Sequence, residues 1–251
     1  MIDEQTARKL AAMGVPSLAE ALGSQDSATF AGAPFDERVR IAVDQAFQAD
    51  AAARVRGLER RAHLRYPQAD MRTLDLVEER GIDRAKLAEL STCAFVGTAT
   101  NVVVQGFTGS GKSWLLCAIE REACRRQLRS YYVRMPDLEE KVRDSGSRPG
   151  GRSKLVRRLA KYRVLAIDEW LLDKPDGDTL AFLLELAELR YGECPTLFGT
   201  QYKREDWHER LGGGVHADAI MDRIVHNAVF LDCGEYNMRE RMPLRPSGGM
   251  G

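Results

Sequence analysis

Gly106-Phe107-Thr108-Gly109-Ser110-Gly111-Lys112-Ser113 is the stretch on which the reading of this chain turns. It satisfies the phosphate-loop pattern G-x-x-x-x-G-K-[ST] in full, and its flanks are the ones the pattern requires. Before it, Val102-Val-Val-Gln105 predicts a short apolar strand; after it, Lys112–Arg126 reads as a helix. Glycines let consecutive N–H groups close round a phosphate without side-chain collision. A helix opening at Lys112 adds unpaired N–H donors and the positive end of its dipole. The spacing predicts that residues Gly106 to Ser113, with Trp114, line a nucleotide such as ATP. Lys112 is placed to reach the β- and γ-phosphates and Ser113 to ligate Mg²⁺.

Working outward, four more apolar runs alternate with helical stretches. Tyr131-Tyr-Val-Arg134, Arg163-Val-Leu-Ala-Ile-Asp168, Thr196-Leu-Phe-Gly-Thr200 and Ala228-Val-Phe-Leu231 predict the remaining strands. Continuous apolar strands separated by helices are what a parallel sheet buried on both faces requires, so the fold class is α/β with a five-stranded parallel sheet. The third strand ends in Asp168-Glu169. Ligands of open α/β sheets sit at the carboxyl ends of strands, which directs both carboxylates at the glycine-rich loop. Asp168 is expected to hold the Mg²⁺ shell, and Glu169 to polarise an attacking water as general base. Adjacent carboxylates of this kind suit water activation better than phosphate transfer to a small molecule or a nucleotide-gated scaffold without turnover.

The first 65 residues have a different texture and read as helix. A short piece opens at Pro16, and a long one runs from about Pro34 to Leu64 with Phe35, Val39, Val43, Phe47 and Ala51 at helical spacing. Its distal part, Arg54–Arg65, holds five arginines and one glutamate. Residues 67–100 read as a connector containing one helix, Asp83–Ser91. The expected division is therefore a helical N-terminal domain with connector over 1–95 and a nucleotide-binding domain over 96–251, its tail from Pro246 reading as disordered.

The chain of 251 residues has 37 basic and 37 acidic side chains, yet the balance is local rather than general. Residues 121–163 carry 14 basic and 5 acidic side chains, a net charge of +9, whereas residues 164–251 are net −7. Gly146–Lys154 reads as a flexible basic loop. Arg143, Arg148, Arg152 and Lys154, with Arg157 and Arg158 on the helix that follows, are the candidates for contact with DNA phosphates. No helix-turn-helix or zinc-finger pattern points to base readout. An apolar fraction of 44% excludes a disordered chain. No apolar run reaches the ~18 residues that cross a bilayer, and the N-terminus lacks a signal-peptide core, so a cytoplasmic location without a membrane partner is expected. Five cysteines without a C-x-x-C pair read as reduced, buried thiols, and four scattered histidines make no metal-ligand spacing.

Together the phosphate loop, Asp168-Glu169-Trp170, Glu188-Leu-Arg-Tyr-Gly192, Thr200-Gln201, Trp207-His-Glu209 and Asp218-Ala-Ile-Met-Asp-Arg-Ile-Val-His-Asn227 resemble the IstB family. Its members are AAA+ ATPases that assist a transposase of bacterial insertion elements and are similar to the helicase loader DnaC. The resemblance is strong over residues 101–245 and looser in the helical N-terminus. It implies an AAA+ fold, ATP hydrolysis with Mg²⁺, duplex DNA and a transposase of the same element as partners, and a homo-oligomer with active sites shared between subunits. A DnaC-like replicative helicase loader is the alternative. By the same resemblance Thr200 matches the sensor-1 position, Arg223 the arginine finger serving a neighbouring subunit, and Arg239 the sensor-2 region. The segment after the second strand would line the inner face of the oligomer. Phe107 and Ser110 depart from the Pro, Gly or Val more usual in such loops. The small helical lid of many AAA+ proteins is expected to be absent, since only about 20 residues follow the fifth strand.

Overall fold

A computed structural model describes residues 2–25, 30, 32–75, 81–234 and 236–238. The chain divides between Gly57 and Leu58 into two compact units. In the first, α1 (Glu4–Ala12) is capped by Asp3, whose carboxylate accepts the Thr6 N–H, and α2 (Pro16–Gly23) opens on proline. The long helix α3 (Phe35–Arg61) follows and continues past the division. Its inward residues in this unit are the small ones: Ala42 and Ala46 are buried with Ala21, Leu18 and Leu22. Phe35, Val39, Val43 and Phe47, the residues whose spacing announced the helix, are exposed.

The second unit is a five-stranded, fully parallel sheet of β1 (Asn101–Gln105), β2 (Ser130–Arg134), β3 (Val164–Asp168), β4 (Thr196–Thr200) and β5 (Ala228–Asp232), in the order β2-β3-β4-β1-β5. Alternate strand residues point to opposite faces, and each face has its own core. Val102, Val104, Ala166 and Leu197 pack with α5 (Lys112–Arg125) and α4 (Arg84–Ser91). Val103, Leu165, Ile167 and Phe198 pack with α6 (Met135–Gly146), α7 (Gly151–Ala160), α8 (Gly177–Arg190), α9 (Arg204–Arg210) and α10 (Gly214–Val225). Trp170 belongs to this second core, its ring 4.8 Å from Phe198 and 5.8 Å from Trp207.

Two sequence-based expectations change. The division expected near residue 95 lies at 57/58, because Ala62, Leu64, Ala69, Leu87, Leu90 and Phe95 are buried in the same core as α5 and β1. The expected basic loop over 146–154 is two helices, α6 and α7, joined by residues 147–150, with Gly150 at φ +66°. Leu155, Val156 and Leu159 draw α7 onto the sheet and order its basic residues. The tail reading from Pro246 falls outside the described residues. All five cysteines are free thiols; four are buried and Cys194 is half-exposed. Among the described residues no helix is long and apolar enough to cross a membrane, and no cluster of three or more His, Cys, Asp or Glu side chains is set to hold a metal ion.

Asp70 fastens the segment before α4 to α5. Its carboxylate accepts hydrogen bonds from Arg125 at 2.5 Å and Arg72 at 2.9 Å. Arg125 first, then Arg72, hold its acidity well below the usual carboxylate range. A depressed carboxylate contributes stability above its unfolded pKa of ~3.9 and loses it as pH falls towards the folded value. Asp70→Asn should therefore cost ~1–3 kcal/mol at pH 7. Thermal melts of the two proteins should converge as the pH drops below about 4; a constant gap would contradict the ionic account.

Candidate active site

Register brings the candidate residues to one edge of the sheet. Gln105 pairs with Thr200 and Arg134 with Asp168, so the carboxyl ends of β1 to β4 finish together. The phosphate loop leaves β1 there, with Gly106, Gly109 and Gly111 at φ +156°, +89° and +93°. A Cβ on Gly106 would lie 2.7 Å from Ser110 Oγ, and one on Gly109 would collide with the Asn237 side chain. The loop is tied down on both sides. Gly106 N–H donates to Thr200 O (3.2 Å), Phe107 N–H to Gly234 O (3.2 Å) and Met238 N–H to Gly109 O (2.9 Å). No side chain caps α5 at Gly111. Helix N–H groups that no side chain caps are an anion site.

Lys112 Nζ donates to the carbonyls of Gly106 and Phe107, both at 2.8 Å, which folds the ammonium back over the loop. Ser113 is half-buried in the first turn of α5, Phe107 is exposed and Thr108 is held by Gln201 at 3.1 Å. Trp114 packs on Tyr66 with the rings tilted by 40° and their centroids 5.5 Å apart, and is partly buried in the core.

Asp168 is 1% exposed. One carboxylate oxygen accepts the Glu169 N–H (2.9 Å) and the other the Tyr132 hydroxyl (2.6 Å). Burial, and next the Asp168 charge, push the Tyr132 phenol far up, so it stays a donor to Asp168. Gly199 on β4 makes the room: a Cβ there would strike Asp168 Oδ1 and Leu116. Glu169 sits at φ +57°, an uncommon conformation for a non-glycine residue. Its carboxylate pairs with Arg65 at 3.0 Å and lies 3.8 Å from Arg134.

The other predicted residues are placed less simply. Thr200 ends β4, between β3 and β1, but its hydroxyl donates to Trp170 O and accepts the Tyr202 N–H, both at 3.1 Å. Thr200 meets the phosphate loop through its carbonyl, and the side chain that reaches the loop is that of the next residue, Gln201, through Thr108. Arg223 is not brought to the loop of its own chain. Asn101, the first residue of β1, donates to the carbonyls of Arg223 and Ile224 at 3.3 and 3.0 Å, so about 13 Å of strand separates this end from the loop. The Arg223 guanidinium donates to Ala219 O and Glu188, both at 2.9 Å. Arg239 lies outside the described residues. Arg143, Arg148, Lys154, Arg157 and Arg158 are exposed and Arg152 half-buried, on α6, α7 and the turn between them. Tyr132, Arg65 and Arg134 escaped sequence reading. Only the β2–β3 pairing puts Tyr132 and Arg134 beside Asp168-Glu169, and Arg65 is 104 residues from its partner.

The profile of the IstB-like ATP binding protein family matches residues 8–245. The chain belongs to this family. A Sinorhizobium fredii relative named as an insertion sequence ATP-binding protein, y4pL, is 36% identical to this IstB-like chain over 179 residues, 71% of this chain and 72% of that protein. An ATP-binding protein of insertion sequence IS1162 from Pseudomonas fluorescens is 30% identical over 167 residues, 66% and 72% of the two chains. Among solved structures the IstB-like fold superimposes on DnaI (TM-score 0.57, 23% identity, 68% of this chain and 91% of that one). It also matches the DnaC helicase loader (TM-score 0.56, 18% identity, 67% and 98%). The five-stranded parallel sheet with its phosphate loop is thus the AAA+ type of P-loop fold.

Proposed function

We propose that this IstB-like chain is an oligomeric ATPase that binds duplex DNA without sequence preference and assists the transposase of its own insertion element. ATP binding assembles the oligomer, and hydrolysis to ADP and phosphate dismantles it. The observation that carries the chemistry is the Asp168-Glu169 pair at the end of β3 beside a complete phosphate loop. Lys112 exchanges the Gly106 and Phe107 carbonyls for β- and γ-phosphate oxygens. The donor set suits Mg²⁺: the Ser113 hydroxyl and the Asp168 carboxylate, the latter through water, would hold it. When bound, Mg²⁺ neutralises charge on the β- and γ-phosphates. Glu169 accepts the proton of the attacking water. Thr200 and its neighbour Gln201 orient that water or the γ-phosphate, Arg223 reaches the nucleotide of the adjoining subunit, and Arg239 follows the sensor-2 pattern. The names of the insertion-sequence relatives support the transposase role over the loader role, since the loader likeness is one of fold. A cytoplasmic location fits both.

DNA contact is assigned to Arg143, Arg148, Arg152, Lys154, Arg157 and Arg158, on α6, α7 and their turn. No salt bridge engages Arg148, Arg152, Lys154, Arg157 or Arg158 among the described residues, which leaves their charge available to phosphates. Changing Arg148, Arg152 and Lys154 together to Ala should weaken duplex binding for all sequences alike. The salt slope should flatten by ~0.9 per lost phosphate contact, with ATP binding intact. Unchanged affinity and slope would move the DNA surface elsewhere, the Arg54–Arg65 stretch being next in charge. Electron microscopy of the protein with ATP, with and without duplex DNA, tests the whole reading: nucleotide-dependent assemblies enclosing DNA support it, and a monomer in all conditions overturns it.

A further inference from the structure

Beside Glu169 the second unit has a cleft of about 330 Å³ that the proposed chemistry does not use. It is lined by His63, Arg65, Tyr131, Tyr132, Val133, Arg134, Asp137 and Lys141. The chain before α4 builds one wall. Ala62 O accepts the Tyr132 N–H at 2.8 Å, fixing this segment against edge strand β2. Ala62 and Leu64 are buried, while His63 and Arg65 between and after them are exposed and line the cleft. Arg134 and Lys141 form the other wall. Asp137 is the one acid among the lining residues, and Arg134 already takes it in two hydrogen bonds of 2.9 and 2.7 Å.

The charge balance points to a ligand. Arg65, Arg134 and Lys141 stand against Asp137 and Glu169, an excess of one positive charge that becomes two when Glu169 leaves Arg65. His63 adds a further donor edge-on to Tyr131, ring centroids 5.3 Å apart. Arginine side chains offer planar forked donors that match phosphate oxygens as well as carboxylates. A phosphate oxygen can therefore replace the one Glu169 oxygen that Arg65 holds at 3.0 Å.

We propose that this cleft is an anion site for phosphate groups, and that its occupant competes with Glu169 for Arg65 and so frees the carboxylate to face the phosphates at the loop. Arg65 is then a positioning residue that restrains Glu169 until the cleft fills. Two sources share the required chemistry: the phosphodiester backbone of nucleic acid, and the inorganic phosphate that hydrolysis releases. The binding half of the proposal is independent of the assigned chemistry; the restraint half rests on Glu169 as general base.

The test uses the full chain saturated with ADP and Mg²⁺, titrated calorimetrically with inorganic phosphate and, separately, with a short single-stranded oligothymidylate. Lys141→Ala should weaken the binding of one or both about tenfold, as expected for a lost charged hydrogen bond, with Lys112→Ala having no effect. The probe that responds names the source. Affinities insensitive to Lys141→Ala, or no binding of either probe, overturn the site. For the restraint, Arg65→Gln should hydrolyse ATP several-fold faster than wild type without added anion and no longer respond to the probe. Arg65→Lys should restore part of both behaviours. An unstimulated rate in Arg65→Gln equal to wild type, in a protein of unchanged melting temperature, overturns the restraint. Full activity in Glu169→Gln would instead remove the assigned chemistry, and the binding titrations would still decide the site.

Discussion

Glu169→Gln should bind ATP as wild type does and hydrolyse it ~10²–10⁴-fold more slowly, the range general-base catalysis supplies. The amide keeps the size of the carboxylate but cannot accept the proton of the attacking water. Binding should persist because the loop and Lys112 hold the phosphates, and Asp168 the Mg²⁺ shell, without Glu169. Asp168 is positioned by Tyr132 and by the backbone N–H of residue 169, and the substitution alters neither. A longer-lived ATP-bound assembly is the expected consequence, read by single-turnover hydrolysis alongside size measurement. Wild-type turnover in this variant would show that another group takes the proton.

Arg223→Ala should lose ~10³-fold or more in turnover, as expected for an arginine finger, with nucleotide binding by the isolated subunit nearly unchanged. Loss of fold is not the expected cause. The ion pair with Glu188 is partly solvated, 28% and 52% exposed on its two sides, and such pairs contribute at most ~1 kcal/mol. The decisive arm is a mixture. Arg223 sits at the amino end of the strands, away from its own phosphate loop, so the proposed finger would act on a neighbour's nucleotide. Inactive Arg223→Ala and inactive Lys112→Ala chains, combined, should regain part of the ATPase activity, because some interfaces join an intact loop to an intact finger. No recovery, with co-assembly demonstrated separately, would make Arg223 a structural residue of α10.

Much of this molecule was legible before any coordinates. A phosphate loop is a local object: glycine at fixed spacing, then lysine, on a strand-to-helix turn, and each requirement is met within a dozen residues. The five strands were legible for a similar reason, since a parallel sheet covered on both faces needs short apolar runs and helices need periodicity. Asp168-Glu169 could be aimed at the loop because strand ends of such sheets share one edge.

What lay beyond the sequence depends on which residues meet across long separations. The spacing of Phe35, Val39, Val43 and Phe47 marked a helix, yet the buried face is Ala42 and Ala46, because periodicity gives a stripe and only packing says which stripe is covered. The division at 57/58 follows from the burial of Ala62, Leu64 and Ala69 in the core that includes α5, a contact that composition does not encode. The basic segment was helical rather than loose because three aliphatic side chains of α7 found the sheet. At the candidate site, strand register places Tyr132 on Asp168, and the path of the chain before α4 places Arg65 on Glu169. Residue types and local spacing were enough to bring the phosphate loop and Asp168-Glu169 to one candidate site. The partners that hold its two carboxylates were decided by tertiary structure, since side chains far apart in sequence reach hydrogen-bonding distance only through the fold.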